Sequence, residues 1–358
     1  MLNDVLNKKL FDILSNNEID NNIKFNRAQY LLRIGANPNV KDDKGDYFIF
    51  DCQDFEVLDF LLSNGGEVDI RDKCNRTALF SAKTKEKVEY LIKKGADVNV
   101  VDDSKNTPLL SMILGGDVKV LETLIDNGAK LEAKDGFDRT ALMSAVIWGE
   151  KKIVKMLIKK GANVNDKDVF DCPALIEAIK RDDLELVETL VNAKSDVNIC
   201  DGWGRDALFY AIKCEDNEIA KFIVESGADV KSKKISNRRN GKIAYNPLCL
   251  CIEEEKTELA KCLIDKGVDV DEVDENGECA IIKAVEMNNA EIVDYLIKRD
   301  CNVEVKNKKG RDLIDMAKDD EIYALIGRAI YRKNMEEKKE QFKAQVNKVF
   351  GRILGRGF

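Results

Sequence analysis

The chain has 358 residues, a net charge of −8 and no histidine. A chain of this length is near the upper limit for one compact core, which favours either several domains or one repeat array. The negative charge disfavours nucleic acid as the partner of the whole surface, and the missing histidine excludes Ser-His and Cys-His catalytic pairs and imidazole metal ligands.

The first 34 residues predict a pair of helices rather than a targeting signal. Leucines at positions 2, 6, 10 and 14 fall on one helical face, and the segment lacks the basic, apolar and small-residue order of a signal peptide. Nowhere does the sequence contain about 18 consecutive apolar residues, the length that a membrane-crossing helix requires. We therefore expect a soluble, cytoplasmic protein, with export into a host cell as the open alternative.

One short phrase, clearest as GADVN from Gly95, occurs nine times along the chain. Successive copies start 30, 30, 33, 33, 33, 33, 40 and 33 residues apart. The copies begin at Gly35, Gly65, Gly95, Gly128, Gly161, Lys194, Gly227, Gly267 and Asp300. A self-similarity of this period indicates a repeat architecture.

Each period has the pattern of two short helices and a turn, as residues 134–166 illustrate. Thr140 is a candidate N-cap, whose hydroxyl accepts from an amide of the first turn. Asp206, Asn246 and Asp312 can do the same in other repeats. A second apolar helix follows, and Gly161 can end it in the left-handed conformation that favours glycine.

Four segments resemble the ankyrin repeat, whose pattern T-P-L-H-x-A has a period of 33. They are TALFSA, TPLLSM, TALMSA and NPLCLC, starting at Thr77, Thr107, Thr140 and Asn246. The resemblance implies an all-α fold, an ankyrin-repeat solenoid of stacked helix-turn-helix units with short hairpin loops. The usual histidine is replaced by Phe50, Phe80, Leu110, Met143, Ile176, Phe209, Cys249, Ile282 and Asp315. We therefore expect apolar stacking in place of the family's hydrogen bonds from that side chain.

The resemblance covers roughly residues 1 to 330 and implies three segments. They are an N-terminal capping repeat at 1–40, the repeat array at 41–305 and a C-terminal capping repeat at 306–330. The composition of the remaining residues predicts a basic amphipathic helix at 331–358. The ends of an array need such caps because each repeat buries its apolar faces only against its neighbours. The two 30-residue periods are short, so we expect clipped helix ends there.

The resemblance also implies a protein-protein interaction scaffold, because ankyrin proteins generally bind through hairpin tips and the inner side of the first helices. The corresponding positions here are Phe137, Arg139, Ile147, Trp148, Phe170, Lys180, Arg181, Trp203, Arg205 and Lys213. Aromatic residues interleaved with arginine are typical of interface anchors. We expect Phe137, Phe170 and Trp203 to form a line across three tips, and the cations to suit an acidic rim on the partner. In the alternative, the rings pack over neighbouring turns as a small cluster.

No pattern in the sequence indicates catalysis, so we expect no enzymatic activity, no cofactor and no metal, in a monomeric chain. Ten irregularly spaced cysteines are typical of thiols in a reducing compartment. Cys74, Cys172 and Cys214 are expected at exposed positions.

A basic insert lengthens the unit between Val230 and Asn246 by seven residues. Its cations include Lys233, Lys234, Arg238, Arg239 and Lys242. Asn240-Gly241 is a strong tight-turn signal and predicts an elongated hairpin finger. A solvated loop is the alternative, and the cluster is too short to be more than a weak indication of a nuclear address or a nucleic-acid contact.

The last segment, 331–358, carries eight basic and three acidic residues, a charge of +5 that leaves −13 on the rest of the chain. Its apolar residues recur at helical spacing, from Phe342 to Leu354. We favour docking of this helix on the chain's own acidic array or on a partner. A basic amphipathic helix is also suited to a membrane surface, which stays the alternative. The finger and this helix define the alternative function, an adaptor or regulator attached to an anionic surface, either membrane or nucleic acid.

Overall fold

A computed structural model describes residues 2–42, 45–231, 234–238, 241–274 and 276–354. At positions 234–238, 241–244 and 345–354 it describes the backbone alone. The chain forms two units, Met1–Arg181 with Glu185–Ser195, and Asp182–Leu184 with Asp196–Phe358.

The first unit consists of helices in short pairs. They are α1 (Leu2–Ser15), α2 (Asn21–Arg33), α3 (Phe48–Asp51), α4 (Phe55–Ser63), the 3-10 helix η1 (Ala78–Ser81), α5 (Lys85–Lys93), α6 (Pro108–Ser111), α7 (Val118–Asp126), α8 (Ala141–Trp148), α9 (Lys151–Lys159), α10 (Ala174–Lys180) and α11 (Leu184–Asn192). Helix α8 packs on α9 of its own repeat and on α10 of the next. The predicted stacking of helix pairs is confirmed in this unit.

The second unit continues the pattern and adds one hairpin. Its elements are α12 (Ala207–Ile212), α13 (Glu218–Glu225), β1 (Lys234–Arg238), β2 (Gly241–Tyr245), α14 (Pro247–Glu253), α15 (Thr257–Asp265), α16 (Ala280–Glu286), α17 (Ala290–Ile297), α18 (Leu313–Met316) and α19 (Asp320–Leu354). Helix α14 packs on α15 and α16, and α16 packs on α17 and α18.

The predicted helix boundaries rest on the capping residues that the sequence indicated. The Thr140 hydroxyl accepts from the backbone N–H of Met143, and the carboxylates of Asp206 and Asp312 accept from amides three residues on. Asn246 caps α14 in the same way. Gly161 has a φ of 93°, as expected of a glycine that ends a helix.

At positions of the missing histidine, apolar side chains are buried in both units. Met143 and Ile176 are buried in the first unit, and Cys249 and Ile282 in the second. Asp315, in the last repeat, is exposed. Helices α3 and η1 of the 30-residue periods are short, with four residues each, as expected. Helix α6 is equally short in a 33-residue period, so the period length alone does not set the helix length.

The described backbone of the insert in the second unit forms the predicted hairpin finger. Strands β1 and β2 are antiparallel, with Lys234 opposite Tyr245 and Arg238 opposite Gly241. Lys233 and Arg239 lie outside the described residues. For Lys234, Arg238 and Lys242 only the backbone is described, so the interactions of this basic cluster stay a prediction.

Helix α19 is a single helix of 35 residues that passes residue 330 without a break. Ile322, Ile326 and Ala329 are buried in its first part. From Asn334 to Ala344 every side chain is exposed, so this stretch does not dock on the repeats. No helix in the described parts of the chain is long and apolar enough to cross a membrane, and residues 355–358 of the predicted C-terminal helix lie outside the described residues.

Candidate functional site

The hairpin tip at Phe137 is organised around a buried aspartate. Asp135 Oδ1 accepts from the backbone N–H groups of Phe137 and Arg139 at 2.8 and 2.9 Å, and Oδ2 accepts from Arg139 Nε at 2.9 Å. The Arg139 guanidinium also lies 4.7 Å from the centre of the Phe137 ring. The ring is 57% exposed, so this geometry fixes the loop while the aromatic face stays accessible.

The tip at Trp203, in the second unit, has the same construction. Asp201 Oδ1 accepts from the backbone N–H groups of Trp203 and Arg205 at 2.8 and 3.0 Å. Its Oδ2 accepts from Arg205 Nε at 3.0 Å and from the Tyr210 hydroxyl at 2.7 Å. The Arg205 guanidinium lies 4.7 Å from the Trp203 ring centre, and Trp203 is 39% exposed.

Both tip aspartates stay ionised. Burial acts to raise the pKa of Asp135 and of Asp201, but hydrogen bonds from the surrounding backbone amides and arginines outweigh it, and each pKa lies below its ordinary value. The Tyr210 hydroxyl adds to this effect at Asp201. Arg139 and Arg205 are therefore already paired with carboxylates, at 2.8 and 2.9 Å. That they also contact an acidic rim on a partner protein stays a prediction.

The tip at Phe170 differs in one position. Asp168 Oδ1 accepts from the backbone N–H groups of Phe170 and Cys172, both at 2.8 Å, but a cysteine occupies the place of the arginine. Cys172 is buried, so the prediction that it is exposed is wrong. The chain turns back into the repeat at this point, through a bridge between Lys167 and Pro173. Phe170 itself is 52% exposed.

The Cys172 thiol lies inside a small polar cluster. It donates to Glu177 Oε1 at 3.2 Å, and Lys180 Nζ lies 3.5 Å from the sulfur and 2.8 Å from the same carboxylate oxygen. Burial, together with the Glu177 carboxylate, raises the pKa of Cys172 to about 12. Cys74 is exposed as predicted, whereas Cys214 is half-buried, so the prediction that it is exposed is wrong.

Backbone hydrogen bonds join successive tips of the first unit. The amides of Asp103, Gly136 and Val169 donate to carbonyl oxygens of the preceding tip at 3.0–3.1 Å. The acceptors are Cys74, Ser104 and Phe137. Phe137 and Phe170 therefore lie on adjacent tips that are tied to each other.

Trp148 lies at the end of α8 and is 54% exposed. Gly149 follows it in the left-handed conformation, with a φ of 75°. Arg181 donates to the carbonyl of Ile147 at 2.6 Å, and a Cβ at Gly149 would lie only 2.5 Å from its guanidinium. Ile147 is partly buried. The end of α8 is thus fixed by Arg181 while the indole stays exposed.

Lys213, the last predicted contact, is ion-paired with Glu254 and lies 5.7 Å from the Phe209 ring centre. Every predicted cation of the surface therefore contacts a group of its own chain. We call Phe137, Trp148 and Phe170 the first-unit aromatic surface, and Trp203 with Arg205 the second-unit tip. Sequence reasoning missed Asp135 and Asp201, although the spacing aspartate, aromatic at +2 and arginine at +4 occurs at both tips.

Comparisons with known proteins agree with this repeat structure. A family model described as ankyrin repeats in three copies matches residues 47–135, 81–168, 167–234 and 232–307. The solved structure of the ankyrin repeat domain of Bcl-3, described as a unique member of the IkappaB protein family, matches with a TM-score of 0.53 and 20% sequence identity. The match covers 62% of this chain and 98% of that one, and at this identity it shows the fold alone. A search of curated proteins finds no match.

Proposed function

The chain belongs to the ankyrin repeat family, and from this premise we propose that it is a protein-binding scaffold whose partner is held by exposed aromatic rings at the tips and at the end of α8. Ankyrin repeats generally serve as protein-protein interaction scaffolds. The observation that carries the proposal is the exposure of Phe137, Trp148 and Phe170, each between 52% and 57%. Rings exposed to this extent on fixed backbone are suited to become buried in a partner.

Four of the lysines and arginines of the proposed surface already have acidic partners within the chain, and this affects which kind of protein can bind there. Arg139 and Arg205 are paired with buried aspartates, and Lys180 and Lys213 with glutamates. An acidic partner would have to compete with these pairs. We therefore propose apolar and aromatic side chains as the main contacts of the partner, with Ile147, Arg181 and the paired cations at the border of the interface. Aromatic residues in such positions are frequent hot spots.

The two surfaces are proposed separately, because each belongs to its own unit. The first-unit aromatic surface has three rings, and a fully buried aromatic ring covers about 150–250 Å². Roughly half of each ring is already covered in the free protein, so three rings supply on the order of 200–400 Å². That is less than the ~800 Å² per partner of a standard interface, so residues beside the rings must contribute.

The experiment is a cross-linking pull-down from the native lysate with matched variants. Phe137→Ala combined with Trp148→Ala removes two rings of the first-unit aromatic surface. Tyr30→Ala is the control, since Tyr30 is an exposed aromatic of α2 in the same unit. We expect the double variant to lose one or more captured proteins that the wild type and the control retain. An unchanged set of captured proteins would contradict the proposal.

A further inference from the structure

The two halves of α19 carry apolar residues on nearly opposite sides. Ile322, Ile326 and Ala329 are buried in the second unit, whereas Tyr331, Met335 and Phe342 are exposed. With 3.6 residues per turn, Met335 lies about 180° around the helix from Ile326, and Phe342 about 160°. One continuous helix cannot turn both sides towards the same repeats. The exposed side therefore remains accessible to another binding surface.

The described backbone of α19 continues to Leu354. Positions 346, 349 and 353 follow Phe342 on the same helical face, and the sequence has valine, valine and isoleucine there. From Tyr331 to Leu354 the helix spans about 36 Å at 1.5 Å per residue. We call this side, defined by Tyr331, Met335, Phe342 and positions 346, 349 and 353, the tail face.

Lysines border the tail face, and carboxylates lie behind it. Relative to Phe342, the positions of Lys338, Lys339 and Lys343 lie about 40–100° around the helix, whereas those of Glu336, Glu337 and Glu340 lie about 120–160° away. All six side chains are exposed, and Lys343 Nζ is 3.5 Å from Glu340 Oε1. An apolar face bordered by cations, with acidic residues behind it, is typical of a helix that lies in a membrane interface.

A second copy of the chain is a poorer occupant. If two tail faces paired as a coiled coil, Lys339 would fall on the apolar seam with Met335 and Phe342. In a parallel pair Lys338 would also lie beside Lys343 of the other copy. Like charges at these positions oppose pairing, whereas they favour contact with an anionic surface.

We propose that the tail face binds the surface of an anionic membrane, so that the repeat array is attached to the lipid by one peripheral helix. The aromatic and aliphatic residues enter the boundary between headgroups and acyl chains, and the lysines contact the lipid phosphates. This attachment is separate from partner binding at the tips. It adds a membrane-bound location to the scaffold.

Flotation of the full chain with vesicles tests this proposal. Phe342→Glu places a charge on the tail face, and Ala344→Glu adds the same charge about 160° away from Phe342, on the opposite side. Both residues are exposed, so both variants should fold. We expect the wild type and Ala344→Glu to float with vesicles of phosphatidylcholine and phosphatidylserine, and Phe342→Glu to bind at least about tenfold more weakly.

Further results support or overturn the proposal. Added salt should weaken flotation, and so should the double variant Lys338→Gln with Lys339→Gln. These two tests do not depend on Phe342→Glu, so the proposal can be tested even if that variant does not fold. Equal flotation with pure phosphatidylcholine, or equal binding by the two glutamate variants, would overturn the proposal. A wild type that does not float with the vesicles would overturn it as well. In that case, a dimer or a captured acidic protein that is lost in Phe342→Glu would identify the occupant of the tail face.

Discussion

The guanidinium of Arg205 lies 4.7 Å from the centre of the Trp203 ring while the same group is paired with the buried carboxylate of Asp201. Arg205 therefore connects a fixed charge inside the tip to an exposed indole on its surface. We therefore expect the orientation of the Trp203 ring to depend on this contact.

Arg205→Lys should loosen the Trp203 side chain, because an ammonium cannot reproduce both the paired contact and the planar stacking of a guanidinium. We expect stronger acrylamide quenching of Trp203 fluorescence, measured in a Trp148→Phe background so that one indole remains. The stacking contribution is about 0.5–1 kcal/mol at an exposed site. Arg299→Lys, at the exposed pair with Asp265, is the control. Unchanged quenching would mean that the loop alone orients the ring.

Trp148→Ala and Trp203→Ala should each weaken partner binding by about 2 kcal/mol or more, since aromatic anchors dominate interface energies. The melting temperature should change little, because both rings are exposed. Titration calorimetry with the partner isolated by pull-down measures the first effect, and thermal denaturation the second. Tryptophans that acrylamide cannot quench in the free protein would contradict the premise.

Asp201 should make the stability of the second unit sensitive to acid. Its folded pKa lies below its ordinary value, so its contribution is complete above the unfolded pKa of about 3.9 and is lost as pH falls through the folded value. Asp201→Asn should cost about 1.5–3 kcal/mol at neutral pH, the value of hydrogen bonds to a charged group. The difference in melting temperature between wild type and variant should therefore shrink below about pH 4. A constant difference down to pH 2 would contradict this assignment.

Thiol labelling should separate Cys74 from Cys172. Cys74 is exposed, whereas Cys172 is buried with a pKa of about 12. At pH 8 such a thiol is ionised in only about one molecule in ten thousand, against roughly a quarter for an ordinary cysteine. We expect iodoacetamide to modify Cys74 well before Cys172, as followed by peptide mass spectrometry. Equal rates would show that the loop around Cys172 opens readily.

Removal of residues 334–358 should leave the free energy of unfolding within about 0.5 kcal/mol of its original value, because the side chains of Asn334–Ala344 contact solvent. In contrast, Ile326→Ala should cost about 2–5 kcal/mol, since Ile326 is fully buried. Urea denaturation compares the two. A large loss on truncation would show that the tail supports the repeats after all.

The repeats, their caps and the shortened helices could be predicted from the sequence because they depend on local chemistry. Thr140 caps α8 through an amide three residues away, and η1 has the short first helix expected of a 30-residue period. Such features need no knowledge of distant contacts. The same holds for the two strands of the hairpin finger, which the turn signal Asn240-Gly241 predicts at this place, although Gly241 itself belongs to β2, opposite Arg238.

The state of the candidate surface could be predicted only in part. The exposure of Trp148 and Phe137 followed from their place in the repeat, but the engagement of Arg139 with Asp135 depends on the path of a five-residue loop. Cys172 was expected to be exposed because it stands where Arg139 and Arg205 stand in other tips. A short side chain there cannot reach outwards, and it packs against Glu177 instead.

The hydrogen bonds between successive tips have a consequence for the entropy of binding. A loop that becomes ordered only in a complex loses about 1–2 kcal/mol of backbone conformational entropy per residue. The tips that carry Phe137 and Phe170 are already held by the amides of Gly136 and Val169. A partner then has to immobilise only side chains, at about 0.5–1.5 kcal/mol each. Side chains at these positions can therefore be exchanged for others, and a new partner accepted, without the backbone having to be reshaped.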